Sequence, residues 1–404
     1  MGKKSSAFVY RTIYEAKFYL FVRLVFESLF PRQELVDSLH IDPVCFALVQ
    51  LLRSDTHRGL TLNLPPRTLK SVIASTAFPL YALIHKRDIR ILILAGTHDL
   101  QAELLKNMET VLKSARFLSL FGDLTYHRER SELRFPGGGT IQFQTYGLDI
   151  IGKGFDLCVI DDPQSPAASK IKRSREEINS YFDASVLPRM NNRSHGRIVV
   201  VQQRLHIDDL SGHLAGQPNW NKLSIPAISD HDEVWRTEQS CAFRGRGLPI
   251  CAERETFDQA LERLESLGGY DFMAQYQQSP LSDSDQSGHR GVMGYRRLAD
   301  GTFSAAPGLY KLTATEEVRA RVFGIDPGFT LIPPRPLTLE EWEAETMVQQ
   351  AALLAAASEA SSRRTTEDPI EIEATSSGDP NQTWEYRQLY AQQPLQGSLR
   401  LVRR

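Results

Sequence analysis

Apolar residues in the central part of the chain follow two alternating rhythms, short apolar-rich runs and longer stretches spaced for one face of a helix. The runs 60–64, 90–95, 157–160, 197–201 and 223–225 predict strands, and 71–83, 100–113 and 174–183 between them predict helices. Strand and helix in alternation imply parallel pairing with right-handed crossovers, in a sheet covered on both faces. Between 124 and 146 the rhythm changes, because 133–135 and 140–144 flank Pro136-Gly137-Gly138-Gly139, which is a hairpin signal. Ahead of the first strand, 18–30 is apolar but interrupted at helical spacing by Arg23 and Glu27 after Lys17, so it predicts an amphipathic helix packed on the next domain. Past Pro280 the pattern thins. Ser282 to Gly288 reads as a linker, Thr338 with Glu341 reads as a capping box opening a helix to about Ala357, and 358–382 is dominated by Ser, Thr, Glu, Asp and Pro.

Composition narrows this picture only a little. A chain of 404 residues has material for about two to three domains at the usual ~150 residues each. Its 41% hydrophobic and 24% charged residues are ordinary for a globular protein, and a net charge of −2 excludes coating nucleic acid by bulk electrostatics, leaving local basic patches. Cys45, Cys158, Cys241 and Cys251 form no C-x-x-C pair and have no His at metal-ligand spacing, which predicts a reducing, cytoplasmic setting without structural zinc. No apolar run reaches the ~18 to 20 residues that span a bilayer, so no membrane partner is expected.

Candidate chemistry sits where two strands end. The first runs into Pro65-Pro66-Arg67-Thr68-Leu69-Lys70-Ser71 and a helix, and the second, Leu157-Cys158-Val159-Ile160, into Asp161-Asp162-Pro163. A lysine for terminal phosphates, a hydroxyl for Mg²⁺ and a helix start aimed at the anion form a phosphate-binding turn. Two adjacent acids add one carboxylate for the metal, assigned to Asp161, and one to polarise water, assigned to Asp162. Leu64 and Leu69 stand where the pattern G-x-x-x-x-G-K-S/T has glycines. A left-handed non-glycine residue costs roughly 1–2 kcal/mol, so the turn at Leu69 is expected to use a conformation open to L-residues. The bland readings are a connection that happens to hold Lys-Ser, and an Asp-Asp-Pro turn capping the next helix. His206, Asp208 and Asp209 read as a capped helix start rather than a metal site, His213 as a packing or capping residue, and Phe272 with Tyr276 as core packing.

Pro65 to Ser71, Gly152-Lys153-Gly154-Phe155-Asp156 leading into Asp161-Asp162-Pro163, Gln203 to Leu214, Leu223 to Ile228, and Leu267 to Pro280 resemble, in order, the large terminase subunit of tailed bacteriophages and prophages. The resemblance covers 36–280, and a leucine before the lysine is similar to one branch of that family. It implies an α/β fold of the P-loop NTPase, additional-strand type, with a parallel sheet flanked by helices, a helical amino-terminal segment and a partly disordered carboxyl tail. It also implies an ATP- and Mg²⁺-dependent motor that moves double-stranded DNA into a procapsid as a homo-oligomeric ring, with portal protein and small terminase subunit as partners. Carried over by motif, Pro66, Arg67, Thr68, Leu69, Lys70 and Ser71 hold the nucleotide, Ser71 and Asp161 the Mg²⁺, and Asp162 acts as base. Arg67 becomes a candidate to stabilise the transferring phosphate and Gln203 a sensor of the third phosphate.

The implied division is a helical segment at 1–45, an ATPase core at 46–230, a lid or linker at 231–280, a linker with a remnant nuclease strand at 281–336, and a helix with a low-complexity tail at 337–404. Val322 to Gly328 is similar to the first strand of the family's ribonuclease-H-like nuclease, with Asp326 at its first metal ligand. No later strand ends in an acid, so a working nuclease is not expected. Two other readings remain beside the packaging motor: a non-catalytic nucleotide-binding remnant of a prophage, and a helicase-like translocase outside packaging.

Overall fold

The computed structural model describes residues 2–150, 152, 154–238, 240–280, 293–297 and 303–307, all within one compact unit. Lys153, Asp326, the helix expected after Thr338 and the low-complexity tail lie outside the described residues.

The chain opens with helices α1 (Gly2–Ala16), α2 (Phe18–Leu29) and α3 (Ile41–Arg53). Strand β1 (Gly59–Asn63) leads through the Pro65 to Ser71 turn into one wide helical turn, Val72–Ala77, continued by α4 (Phe78–His85). Then come β2 (Arg90–Ala95), α5 (His98–Lys113), α6 (Ala115–Phe121), β3 (His127–Glu129), β4 (Glu132–Arg134) and β5 (Thr140–Thr145). They are followed by β6 (Leu157–Asp161), α7 (Pro166–Ser169), α8 (Lys172–Tyr181), β7 (Arg197–Gln202), α9 (Leu210–Leu214) and β8 (Trp220–Ser224). The β9–β10 pair (Glu233–Arg236, Cys241–Arg244), α10 (Phe257–Leu267) and α11 (Gly269–Gln275) follow, and β11 (Met293–Arg297) pairs antiparallel with β12 (Phe303–Pro307).

Eight strands make the main sheet in the order β3-β4-β5-β2-β6-β7-β1-β8. Every pair from β5 to β8 is parallel, and β3 and β4 add an antiparallel edge. The expected hairpin is β4–β5, in register from Glu132 opposite Gln142 to Arg134 opposite Thr140. All residues of β1, β6 and β7 are buried, as strands covered on both faces must be.

Strand alternation divides the core in two. Leu60, Leu62, Ile91, Ile93, Leu157, Val159, Val199 and Val201 face one side and join residues of α2, α3, α4, α5 and α6 in one cluster. Leu92, Leu94, Cys158, Ile160, Ile198 and Val200 face the other and meet Phe182, Val186, Leu210 and Leu214. Each such side chain contributes about 1.5–3 kcal/mol on burial, so the central strands are the most strongly fixed part of the molecule. α2 belongs to this core through Phe18, Phe21, Leu24 and Val25, which is why it is apolar on the side that Arg23 and Glu27 leave free. No helix among the described residues is long and apolar enough to cross a membrane.

Candidate functional site

β7 lies between β1 and β6, so the turn after Asn63 and the acids after Ile160 emerge at one carboxyl edge of the sheet, on either side of Gln202-Gln203. The pairs form there. Lys70 Nζ donates to both oxygens of Asp162, at 2.9 Å and 2.7 Å. Ser71 Oγ donates to Asp161 Oδ1 at 3.1 Å, and Ser75 Oγ to Asp161 Oδ2 at 2.6 Å. Asp161 is fully buried. Burial, and then the neighbouring Asp162 charge, push its carboxyl up to about 7, while Lys70 and the hydroxyls of Ser75 and Ser71 act in the opposite direction. A buried carboxylate beside a hydroxyl at the start of a helix is the donor set that Mg²⁺ finds in phosphate-binding turns, and the fit is sound. Among the described residues no group of three or more His, Cys, Asp or Glu could hold a metal by protein ligands alone. Bound with a nucleotide, the ion would neutralise charge on the phosphate oxygens.

The turn itself corrects an expectation. Leu69 has φ 62° and Arg67 φ 63°, so both adopt the left-handed backbone that L-residues were expected to avoid there. The cost is offset by local bonds: Thr68 Oγ1 donates to Pro65 O at 2.8 Å and Ile73 N to Leu69 O at 2.9 Å. Thr68 therefore spends its hydroxyl within the turn. The wide helical turn Val72–Ala77 follows at once, with Phe78 N reaching back to Ile73 O. Such widened turns concentrate at functional sites. Asp162 is a third left-handed residue, at φ 40°, its N–H bound to Val201 O at 2.9 Å. Gly96, just past β2, lies against it so closely that a Cβ would stand 1.8 Å from Asp162 O.

Of the predicted site residues, the structure brings Lys70, Ser71, Asp161 and Asp162 into direct contact. Arg67 is exposed beside the turn, and Pro66 lines a neighbouring cleft. Gln203 is half-buried past the end of β7, and its Oε1 is buried without a hydrogen-bond partner. Gln202 Nε2 and Asn63 Oδ1, on paired residues of β7 and β1, are likewise without a partner. Arg204 turns away from the site into a buried pair with Asp209 at 2.9 Å, and Asp209 caps α9 through Gly212 N at 2.9 Å. His213 Nε2 lies 2.9 Å from Asp183 Oδ2.

The cleft beside the turn has a volume of about 360 Å³ and is lined by Pro65 to Leu69, by Val36, His40 and Ile41, and by Ile250, Arg254, Arg263 and Tyr276. Arg263 lies 5.0 Å over the Tyr276 ring and pairs with Glu255 at 2.7 Å. Phe272 is buried and stacks on Tyr276 at 5.5 Å, so the expected core contact is present, yet Tyr276 also faces the cleft. Sequence reasoning missed His40, Arg254, Arg263 and Ser75, and read Tyr276 as core packing alone. Ser75 carried a signal, four positions after Ser71 on one helix face; His40, Arg254 and Arg263 come from distant segments and carried none.

A turn after β1 that carries Lys70-Ser71, an acid pair after β6 and a strand inserted between them make an α/β fold of the P-loop type, a mostly parallel sheet flanked by helices. Among solved structures, the chain is similar to the ATPase domain of the Thermus phage P74-26 large terminase, with 15% identity, a TM-score of 0.40, and 63% of this chain and 97% of that chain covered. It is also similar to the HK97 bacteriophage large terminase, with 12% identity, a TM-score of 0.40 and coverage of 74% and 70%. A large terminase of a thermophilic bacteriophage in complex with ADP shares 10% identity and a TM-score of 0.35, with 57% and 51% covered. No family model and no curated protein matches the sequence.

Proposed function

We propose that this chain is an ATP-hydrolysing motor subunit of the large-terminase kind, which moves double-stranded viral DNA into a procapsid. The observation that carries the nucleotide reading is the pairing of Lys70 with Asp162 and of Ser71 with Asp161 at one edge of the sheet. A triphosphate entering that edge meets Lys70 and the amides at the start of the helix, and the incoming anion competes with Asp162 for the ammonium. Asp162, released from Lys70, is then free to accept a proton from an attacking water. Arg67, whose side chain is exposed beside the turn, is available for the transferring phosphate, and Gln203 for sensing it. The cleft supplies apolar walls and the stacked Arg263–Tyr276 pair for a nucleobase. The packaging role, with a ring of copies on a portal protein and a small terminase subunit in the bacterial cytoplasm, draws on the ordered sequence blocks.

The test is phosphate release by the purified full chain with ATP and Mg²⁺, with and without double-stranded DNA. Turnover is expected to rise with DNA and to fall at least about 100-fold, some ~3 kcal/mol, in both Lys70→Ala and Asp161→Ala. Equal, slow release by all three proteins would reject hydrolysis. Binding to a portal ring supports packaging, and duplex unwinding without portal binding points instead to a helicase-like translocase.

A further inference from the structure

Two non-glycine residues in left-handed backbone, Arg67 and Leu69, flank Thr68, and contacts from outside the turn add to its own bonds in holding them. The carbonyls receive them. His40 Nε2 lies 2.9 Å from Thr68 O, and Arg254 Nη1 donates to Arg67 O at 3.3 Å. A carbonyl only accepts, so Nε2 carries the proton. The ring is buried, and burial above all, assisted by the Arg244 and Arg254 charges, lowers its pKa to about 4, so it is neutral and Nδ1 is an acceptor. Ser38 Oγ stands 2.6 Å from Nδ1 and 2.7 Å from Ile250 O, and its one hydroxyl proton, shared between these two acceptors, ties the ring to the segment after β10. The turn is thus braced from two segments, 38–40 and 250–254, that lie far apart in the sequence.

We propose that His40 is a positioning residue for the phosphate-binding turn: its ring, with Arg254, holds the Thr68 and Arg67 carbonyls and so does the work that glycine does in the usual pattern. The inference rests on reading 64–71 as a phosphate-binding turn. Its mark is dependence on Leu69. Glycine at that position takes the left-handed backbone without steric cost, so Leu69→Gly lessens what the brace must hold.

Affinity for a fluorescent ATP analogue is measured with Mg²⁺ in the full chain. His40→Ala is expected to weaken it about tenfold, equivalent to ~1.4 kcal/mol. His40→Gln, which keeps an N–H donor, is expected to stay within about threefold of the wild type. In the Leu69→Gly background, His40→Ala is expected to lose less than about threefold. Equal losses in the two backgrounds, or no loss at all, overturn the proposal. Arg254→Ala, an exposed change that leaves the core intact, is run in both backgrounds and keeps the test open if His40→Ala fails to fold. A direct ligand contact would give the same loss in each background; a brace gives the larger loss beside Leu69. Amide exchange of residues 67–71 in the nucleotide-free chain separates this inference from the function. Faster exchange in Arg254→Ala and His40→Ala supports the brace even if the wild type binds no nucleotide, whereas unchanged exchange overturns it.

Discussion

Asp161 has both carboxyl oxygens engaged by serine hydroxyls and no exposure to water, so its charge is supported only by those bonds and by Lys70 beyond Asp162. Burial raises its pKa to about 7 against an ordinary value near 4. Between those values the folded chain holds a proton that the unfolded chain has released. The contribution to stability is therefore fully present below pH ~4 and is lost as pH rises through about 7. Asp161→Asn removes this titration. Without nucleotide or metal, the variant is expected to melt several degrees above the wild type at pH 8, with the gap closing toward pH 4. Melting curves across that range check it, and a gap that does not change with pH would remove Asp161 as its source. Ser75, four residues after Ser71, carried a helix-spacing signal that went unread; the full burial of Asp161 carried none, because it depends on β2 and β7 closing on both sides of β6.

At the scale of elements, the end of β2 shapes the end of β6. Gly96 N donates to Asp161 O at 3.0 Å, and the absence of a side chain at Gly96 leaves room for the left-handed Asp162. Gly96→Ala would force a Cβ against backbone, where over-packing costs typically ~1–3 kcal/mol. Asp162 is expected to shift, and ATP turnover to fall about 10- to 100-fold while affinity for the analogue changes less than about threefold. Steady-state kinetics alongside binding check this, and an equal loss in both would place the damage in the Pro65 to Ser71 turn instead. The strands were legible because the middles of β1, β2, β6 and β7 are buried on both faces and are mostly apolar, with polar residues gathered toward their ends. β3, which is exposed along its length, and the short β9–β10 pair gave no such signal. Boundaries moved by a few residues where capping decided them, as at α5, which starts at His98 because Thr97 accepts from Leu100 N at 3.1 Å.

Across the whole molecule, the segment from Ala227 to Gln278 is tied to the exit of β7. Gln278 Oε1 accepts from Arg204 N at 2.9 Å, Gln277 holds both backbone groups of Ile228 at 3.0 Å and 2.8 Å, and Ala227 N donates to Tyr276 O at 2.7 Å. The strand that separates the Lys70-Ser71 turn from the Asp161-Asp162 pair is thereby linked to the segment that lines the cleft. Gln278→Ala leaves the buried Arg204 N–H without its partner, which costs about 1–3 kcal/mol. Urea unfolding is expected to show that loss, with faster amide exchange at Ala227, Ile228 and Arg204 than at the β2–β5 pairing. Uniform acceleration across the sheet would mean that the link is not local. None of this was readable beforehand, since Gln277 and Gln278 look like a polar helix end until Arg204 and Ile228 are found beside them.

By itself the sequence determined the alternating architecture and the chemistry at two strand ends, because burial on both faces forces apolar runs and each run stops where the chain leaves the sheet. The neighbours of those ends were decided by the tertiary structure alone. The insertion of β7 between β1 and β6 joins Lys70 to Asp162 and Ser71 to Asp161. The left-handed turn at Leu69 stands against local preference because His40 and Arg254, from distant segments, hold its carbonyls. Local pattern records what each residue prefers, and only packing supplies the contacts that overrule it.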